Sequence, residues 1–274
     1  MASFSQIESG LTGSHMQEPT PHPEIDELLY DLRGQIRQIL GGKLVGLYLY
    51  GSLVTGDFDP GVSDFDLLAA TASEIDEEAF DRLHQLHLDF VDAHPAWENR
   101  VEIAYLTVEG LRTFRTQESE IAVISPGEPF HRKAAGKEWT INWWLVRERG
   151  RTLCGPDPKT LIEPISQQEF LDTVHGHAQC WHEWVKASRS RKAQSYARLT
   201  LCRALYAAVH GEQPSKRQAA RWAQERFPER ARLIEEALAW RVSEENEAVD
   251  HEASYPETER FVRFMIRQVE AVLD

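Results

Sequence analysis

Apolar residues recur at helical spacing through "PEIDELLYDLRGQIRQIL", where Ile25, Leu28, Leu29, Leu32, Ile36 and Leu40 share one face and Gly41-Gly42 then stops the pattern. The next segment, "LVGLYLYGS", is short and almost continuously apolar, as a buried strand is. A turn-rich loop carrying Gly56, Asp57, Asp59, Pro60 and Gly61 separates it from a second such run, "SDFDLLAAT". Helical spacing returns in "EIDEEAFDRLHQLHLDFVDAHP", and "RVEIAYLT" alternates like a strand with Glu102 inside it. Helix, strand, strand, helix, strand predicts an α/β unit with a mixed sheet, and Trp143 and Trp144 are assigned to a helix packing on it.

After Pro156 the pattern changes. "SQQEFLDTVHGHAQCWHEWVKA", "SYARLTLCRALYAAVHG", "SKRQAARWAQERF", "RARLIEEALAWRV" and "PETERFVRFMIRQVEAVL" all carry helical periodicity, with no convincing strand between them. The fold class predicted is therefore α/β + α, with a mixed-sheet domain followed by an all-helical one. The Gly- and Pro-rich stretch "GRTLCGPDPKTLIEPIS" supplies the boundary, giving domains 17–157 and 158–274. The opening segment ends in Gly-Ser-His-Met, which resembles a cloning scar, so 1–16 is read as an expression tag and set aside.

Composition narrows the class. The chain has 274 residues, 42% hydrophobic and 27% charged, enough for one large domain or two moderate ones. No apolar run approaches bilayer-spanning length and the N-terminus lacks the pattern of a signal peptide, so a cytoplasmic protein without a membrane partner is expected. The formal net charge of -14 argues against nucleic acid as a partner, since such binders neutralise backbone phosphates. Cys154, Cys180 and Cys202 have no paired-ligand spacing and are expected to be buried small apolar residues. His175, His177 and His182 lack a carboxylate pattern and are expected at the surface.

The chemistry lies in "YGSLVTGDFDPGVSDFDLL". Residues two apart on a strand face the same side, so Asp64 and Asp66 converge while Phe65 points into packing. Like charges so close are costly without a cation between them, and hard oxygen ligands with room for water suit magnesium. Gly51 permits close approach of the backbone to a ligand, Ser52 offers a hydroxyl and an amide, and Glu102 adds a carboxylate from another strand.

At these residues the chain resembles the nucleotidyltransferase superfamily built on the polymerase β palm. It is more closely similar to the aminoglycoside nucleotidyltransferases that adenylylate streptomycin and spectinomycin. "VEIAYLT" and "YARLTLCRALYAAVHGEQPSKRQAARWAQERFP" extend the likeness into the helical half. The resemblance implies magnesium on Asp64 and Asp66, with Glu102 as general base and metal neighbour. It places Ser52 and Ser63 against the nucleotide triphosphate and Arg203 and Lys216 on the phosphates of ATP. The acceptor is then a small hydroxylated molecule in the interdomain cleft, an aminoglycoside first, with Trp184 and Trp240 as stacking faces. The chain is expected to act as a monomer or dimer. A different metabolite, a protein or RNA target of toxin-antitoxin type, and a decayed nucleotide-binding protein remain open. One segment departs from the family: "VKASRSRKAQSY" carries Lys186, Arg189, Arg191 and Lys192 where relatives carry carboxylates. That run is expected to form a basic rim that repels a polycation and favours an anionic or neutral hydroxyl compound, with weak or absent activity on streptomycin, unless it faces solvent and acids near Glu183 and Glu244 take over recognition.

Overall fold

The computed structural model describes residues 20–187, 189–243 and 251–274, with His251 described in its backbone alone. The 1–16 segment and Glu244 lie outside the described residues. The first helix, α1 (Pro23–Leu40), starts with proline in its first turn and stops at Gly41, whose φ of 53° favours glycine. Strand β1 (Leu44–Tyr50) follows, then a single helical turn, α2 (Ser52–Thr55), and strand β2 (Phe65–Thr71). Helix α3 (Glu77–Ala93) is capped by Asp76, whose carboxylate accepts from the Ala79 amide at 2.9 Å. It crosses over to β3 (Val101–Thr107), parallel to β2.

The sheet is larger than the sequence patterning indicates. After the short α4 (Val108–Thr113), strands β4 (Ser119–Ser125) and β5 (Glu128–Ala135) add an antiparallel hairpin. Beyond α5 (Thr140–Arg149), the four-residue β6 (Arg151–Cys154) pairs with β1. The order is β5-β4-β3-β2-β1-β6, antiparallel except between β2 and β3. β5 escapes pattern reading because it lies at the sheet edge, with mostly exposed or half-buried positions and a proline that an edge tolerates.

Both sheet faces are covered, which explains the continuous apolar runs. Leu47, Leu49, Phe65, Leu67, Ile103 and Tyr105 face a core made with α1 and α3. Tyr48, Tyr50, Leu68, Ala70, Ala104 and Leu106 face the other way, into a core shared with α5 and five further helices. These are α6 (Gln167–Ala187), α7 (Arg191–His210), α8 (Lys216–Arg226), α9 (Ala231–Val242) and α10 (His251–Leu273). The central α7 buries Arg198 completely, where Thr258, the Leu233 carbonyl and Glu236 take its guanidinium protons. Of the cysteines, Cys202 is buried as expected, while Cys154 is half-buried and Cys180 exposed, which corrects the expectation for both. Cys180 lies on the solvent side of α6, its thiol donating to the Gly176 carbonyl. No helix among the described residues is long and apolar enough to cross a membrane.

Trp143 joins the two halves: it is fully buried, stacks on Trp139 at 5.2 Å between ring centroids, and belongs to the core that sheet and helices share. Trp143→Ala is expected to cost about 3–5 kcal/mol, the usual range for deleting a buried aromatic. Urea unfolding followed by circular dichroism checks this, and a cost below about 1 kcal/mol would contradict the continuous core.

Candidate active site

Strand register brings the acidic residues together. Tyr50 of β1 pairs with Asp66 of β2, and Asp66 pairs with Glu102 of β3, so three side chains stand in a row on the face toward the helices. Asp64 lies two residues before Asp66 and takes the same side. The Tyr50 hydroxyl donates to Glu102 Oε1 at 3.1 Å and accepts from Asn142 of α5 at 3.3 Å. Gly51 turns the chain out of β1 with φ of 73°, and a Cβ there would sit 1.7 Å from Asp66 Oδ2. Only glycine lets the turn lie against that carboxylate.

The helical half supplies the opposite wall of a partly open cavity of about 270 Å³. Arg203, Tyr196 and Thr200 come from α7, Lys216 from the start of α8, Arg241 from the end of α9, and Val174 and His177 from α6. Ile141, Asn142 and Leu145 of α5, with Glu138 before it, close one end. Five carboxylates, Asp57, Asp64, Asp66, Glu102 and Glu138, thus share the cavity with Arg203, Lys216 and Arg241.

Burial sets the electrostatics. It pushes the Asp66 carboxyl well above its ordinary range, with Asp64 and then Glu102 adding to the effect and Lys216 and Arg203 opposing it. Glu102 is pushed up to about 7, by burial first and Asp64 second, against the Tyr50 hydrogen bond. Lys216 and Arg203 shift down because burial disfavours their charges. A site that raises its acids and lowers its bases is short of counter-charge and polar partners. Three buried atoms agree: Ser52 Oγ, Thr200 Oγ1 and Arg203 Nε find no hydrogen-bond partner among the described residues, and all three residues line the cavity.

The donor set suits a divalent cation brought by a phosphate ligand. Among the described residues no group of three or more His, Cys, Asp or Glu side chains is arranged to cage a metal alone. Magnesium does not require one, since it takes one or two carboxylates and fills its octahedron with water and substrate phosphate oxygens.

Of the residues singled out from the sequence, Gly51, Ser52, Asp64, Asp66, Glu102, Arg203 and Lys216 line the cavity. Ser63 does not: it is buried, with its hydroxyl accepting from the Asp59 amide and from Arg241. Trp184 and Trp240 also lie off the cavity lining. Trp184 packs against Trp181 and Tyr196, and Trp240 lies under the guanidinium groups of Arg198 and Arg191. The basic run is not in the lining either. Lys186 pairs with Glu183 at 2.7 Å, Arg189 pairs with Glu252 at 3.0 Å over the Tyr255 ring, and Lys192 is exposed. His177 is solvent-exposed, as expected, yet it borders the cavity. Sequence reading missed Tyr50, Asn142, Tyr196, Thr200, Asp57, Glu138 and Arg241 as lining residues. The alternation of β1 carries the signal for Tyr50; the others arrive only through packing.

Two family models match the chain in order. Residues 29–125 match the nucleotidyltransferase domain, and residues 160–268 match the C-terminal domain of aminoglycoside adenylyltransferase. An aminoglycoside (3'') (9) adenylyltransferase of Escherichia coli is 25% identical over 273 residues, covering 90% of this chain and 96% of that protein. A spectinomycin 9-adenylyltransferase of Campylobacter jejuni is 26% identical over 248 residues, covering 86% of this chain and 92% of that protein. The crystal structure of a spectinomycin adenyltransferase from Enterococcus faecialis, with ATP and spectinomycin, superposes with a TM-score of 0.73 at 16% identity. That likeness covers 89% of this chain and 98% of the other, and shows the fold.

The raised carboxyls make stability depend on pH. A carboxyl that holds its proton more tightly when folded contributes fully below its unfolded range, and that contribution is lost as pH rises through its folded value. For Glu102 the window runs from about 4.5 to about 7. Urea titrations without divalent cations should therefore show wild-type stability falling more steeply across this window than that of Glu102→Gln. Parallel curves would contradict the burial of its charge.

Proposed function

Because the chain belongs to the aminoglycoside adenylyltransferase family, we propose that it transfers AMP from ATP to a hydroxyl of an aminoglycoside-like antibiotic, with release of pyrophosphate. The observation that carries this reading is the register of Asp66 and Glu102 on adjacent strands, with Asp64 alongside and Arg203 and Lys216 facing them across the cavity. The nucleotidyltransferase chemistry belongs to domain 17–157 and the phosphate-gripping cations to domain 158–274. Action in the cytoplasm, where ATP is at hand, is part of the proposal.

Asp64 and Asp66 would hold magnesium, with Glu102 beside it; bound there, the ion neutralises charge developing on the transferred phosphate. Arg203 and Lys216 bind the triphosphate and orient it for in-line displacement, since a tetra-anion entering a cavity of carboxylates needs cations on its far side. Ser52 offers its unpartnered hydroxyl to the same phosphates. Glu102, in register beside Asp66, takes the proton of the attacking hydroxyl as general base. Tyr50 keeps its carboxylate oriented. The acids left over, Glu138 above all, favour a cationic acceptor, and the basic run, which is absent from the lining and in which Lys186 and Arg189 are paired with glutamates, does not oppose one.

The test is pyrophosphate release from ATP and magnesium in the presence of spectinomycin or streptomycin. Asp64→Asn and Asp66→Asn are expected to abolish turnover in folded protein, and near-normal rates in either would overturn the assignment. Glu102→Gln should retain ATP binding while losing at least about a hundredfold in turnover, the lower scale for a positioned base. Arg189→Glu should leave the acceptor KM within about twofold, as a residue whose solvent-exposed pair carries little energy does.

A further inference from the structure

The loop that leads from α2 into Asp64 is gripped from both halves of the molecule. Asp57 accepts from the backbone amide of Arg217 at 3.1 Å and from its Nη1 at 3.2 Å. Asp59 is shared: one oxygen takes Arg217 Nη2, and the other takes Arg241 Nη1 at 2.6 Å, while Arg241 Nη2 reaches Ser63 Oγ at 3.1 Å. From the sheet side, Arg100 donates to the carbonyls of Pro60 and Ser63, each at 2.6 Å, with its guanidinium over the Trp97 ring.

These are not ordinary surface pairs. The side chains of Asp57, Asp59 and Arg241 are only 7%, 16% and 10% exposed, and each carboxylate takes two or more donors, so the geometry is fixed rather than averaged. Their place in the chain matters as much. Arg217 directly follows Lys216, and Ser63 directly precedes Asp64. The two halves are already joined by the apolar core around Trp143, so these pairs add orientation to an existing attachment.

We propose that Asp59 and Arg217, with Arg241 and Asp57, form a positioning clamp that sets Lys216 of the helical half against Asp64 of the sheet. The clamp thereby tunes affinity for the nucleotide together with its divalent ion. The inference rests on the nucleotidyl-transfer reading above. Asp59 and Arg217 are positioning residues: neither lines the cavity, and they act through the neighbours they hold.

The test uses the full chain with Asp59→Asn, Arg217→Met and the double variant. Calorimetry measures ATP binding with magnesium chloride and with a chelator, and pyrophosphate release with spectinomycin is followed against magnesium concentration. Each single variant should weaken magnesium-dependent ATP binding at least about fivefold and raise the magnesium needed for half-maximal rate, and the double should fall short of the two single effects combined, since Asp59 and Arg217 share a contact while each keeps a second partner. The acceptor KM should stay within about twofold. A merely structural role would lower the folded fraction, and with it the apparent kcat, while leaving ATP affinity and magnesium dependence of the folded molecules unchanged; that result overturns the clamp, as does an additive double variant. Arg217→Lys, which keeps the charge but loses the forked contact, should fall between wild type and Arg217→Met and decides by the same readouts if another variant does not fold. If wild-type protein binds ATP with magnesium but modifies no acceptor, the functional reading fails while the binding arm still decides the clamp. If it binds no ATP, both fail.

Discussion

Several carboxylates on the inner face of a sheet repel one another and lose their hydration, and the rest of the molecule is arranged around that cost. Asp64, Asp66 and Glu102 stand where a solely apolar face would pack better, and burial acts on Asp66 and Glu102 more strongly than any neighbouring charge does. The sheet offers no cation of its own in the cavity lining. Arg203, Lys216 and Arg241 all come from helices beyond residue 190, so the acids of one half are answered by the other. A nucleotide with a bound divalent ion would complete the balance from both sides at once.

The same parity that places the acids also decides which side the helices cover. From the register shift at Leu44–Gly46 onward, odd positions of β1 face α1 and α3 and even positions face α5 and the helical half, and β2 follows the same parity. A shift of one residue in the β2 register would send Asp66 into the apolar layer in place of Leu67 and exchange every contact on both faces. Apolar packing on two sides therefore fixes the chemistry of the third surface, the end of the strands. Gly51 adds a local constraint of the same kind, since the turn after β1 lies in contact with the Asp66 carboxylate.

What could be read beforehand followed from short-range periodicity. Asp64, Asp66 and Glu102 were legible because a strand repeats every two residues, and α6 to α10 because their apolar stripes are long and regular. β4, β5 and β6 were not, because an edge strand with half-exposed alternate positions and a four-residue strand carry almost no pattern. The cavity residues Asp57, Glu138 and Arg241 were illegible for another reason: each looks like an ordinary solvated charge until the fold gives it a partner. Arg241 meets Asp59 across 182 positions of chain, a separation that no local rule reaches. The basic run shows the converse error. Four cations in seven residues suggest a basic wall, yet Lys186 and Arg189 are each answered by a glutamate away from the cavity.

The two ends of the cavity are built on different principles. At the sheet end each functional atom is held by backbone: strand register, the turn at Gly51, and a loop tied down by arginines. At the other end Ile141, Leu145 and Val174 mix with Glu138, Asn142, His177 and Tyr196, side chains on helix surfaces whose replacement would leave the register of β1 to β3 untouched. Tyr196 packs on Trp181 and Trp184 and His177 lies edge-on to Trp181, so that wall is held by contacts between side chains rather than by backbone register. The acids at the sheet end thus sit on the rigid element, and the opposite wall is built where sequence can vary without disturbing it. That division lets the lining of the helical wall change while the acids at the sheet end stay in place.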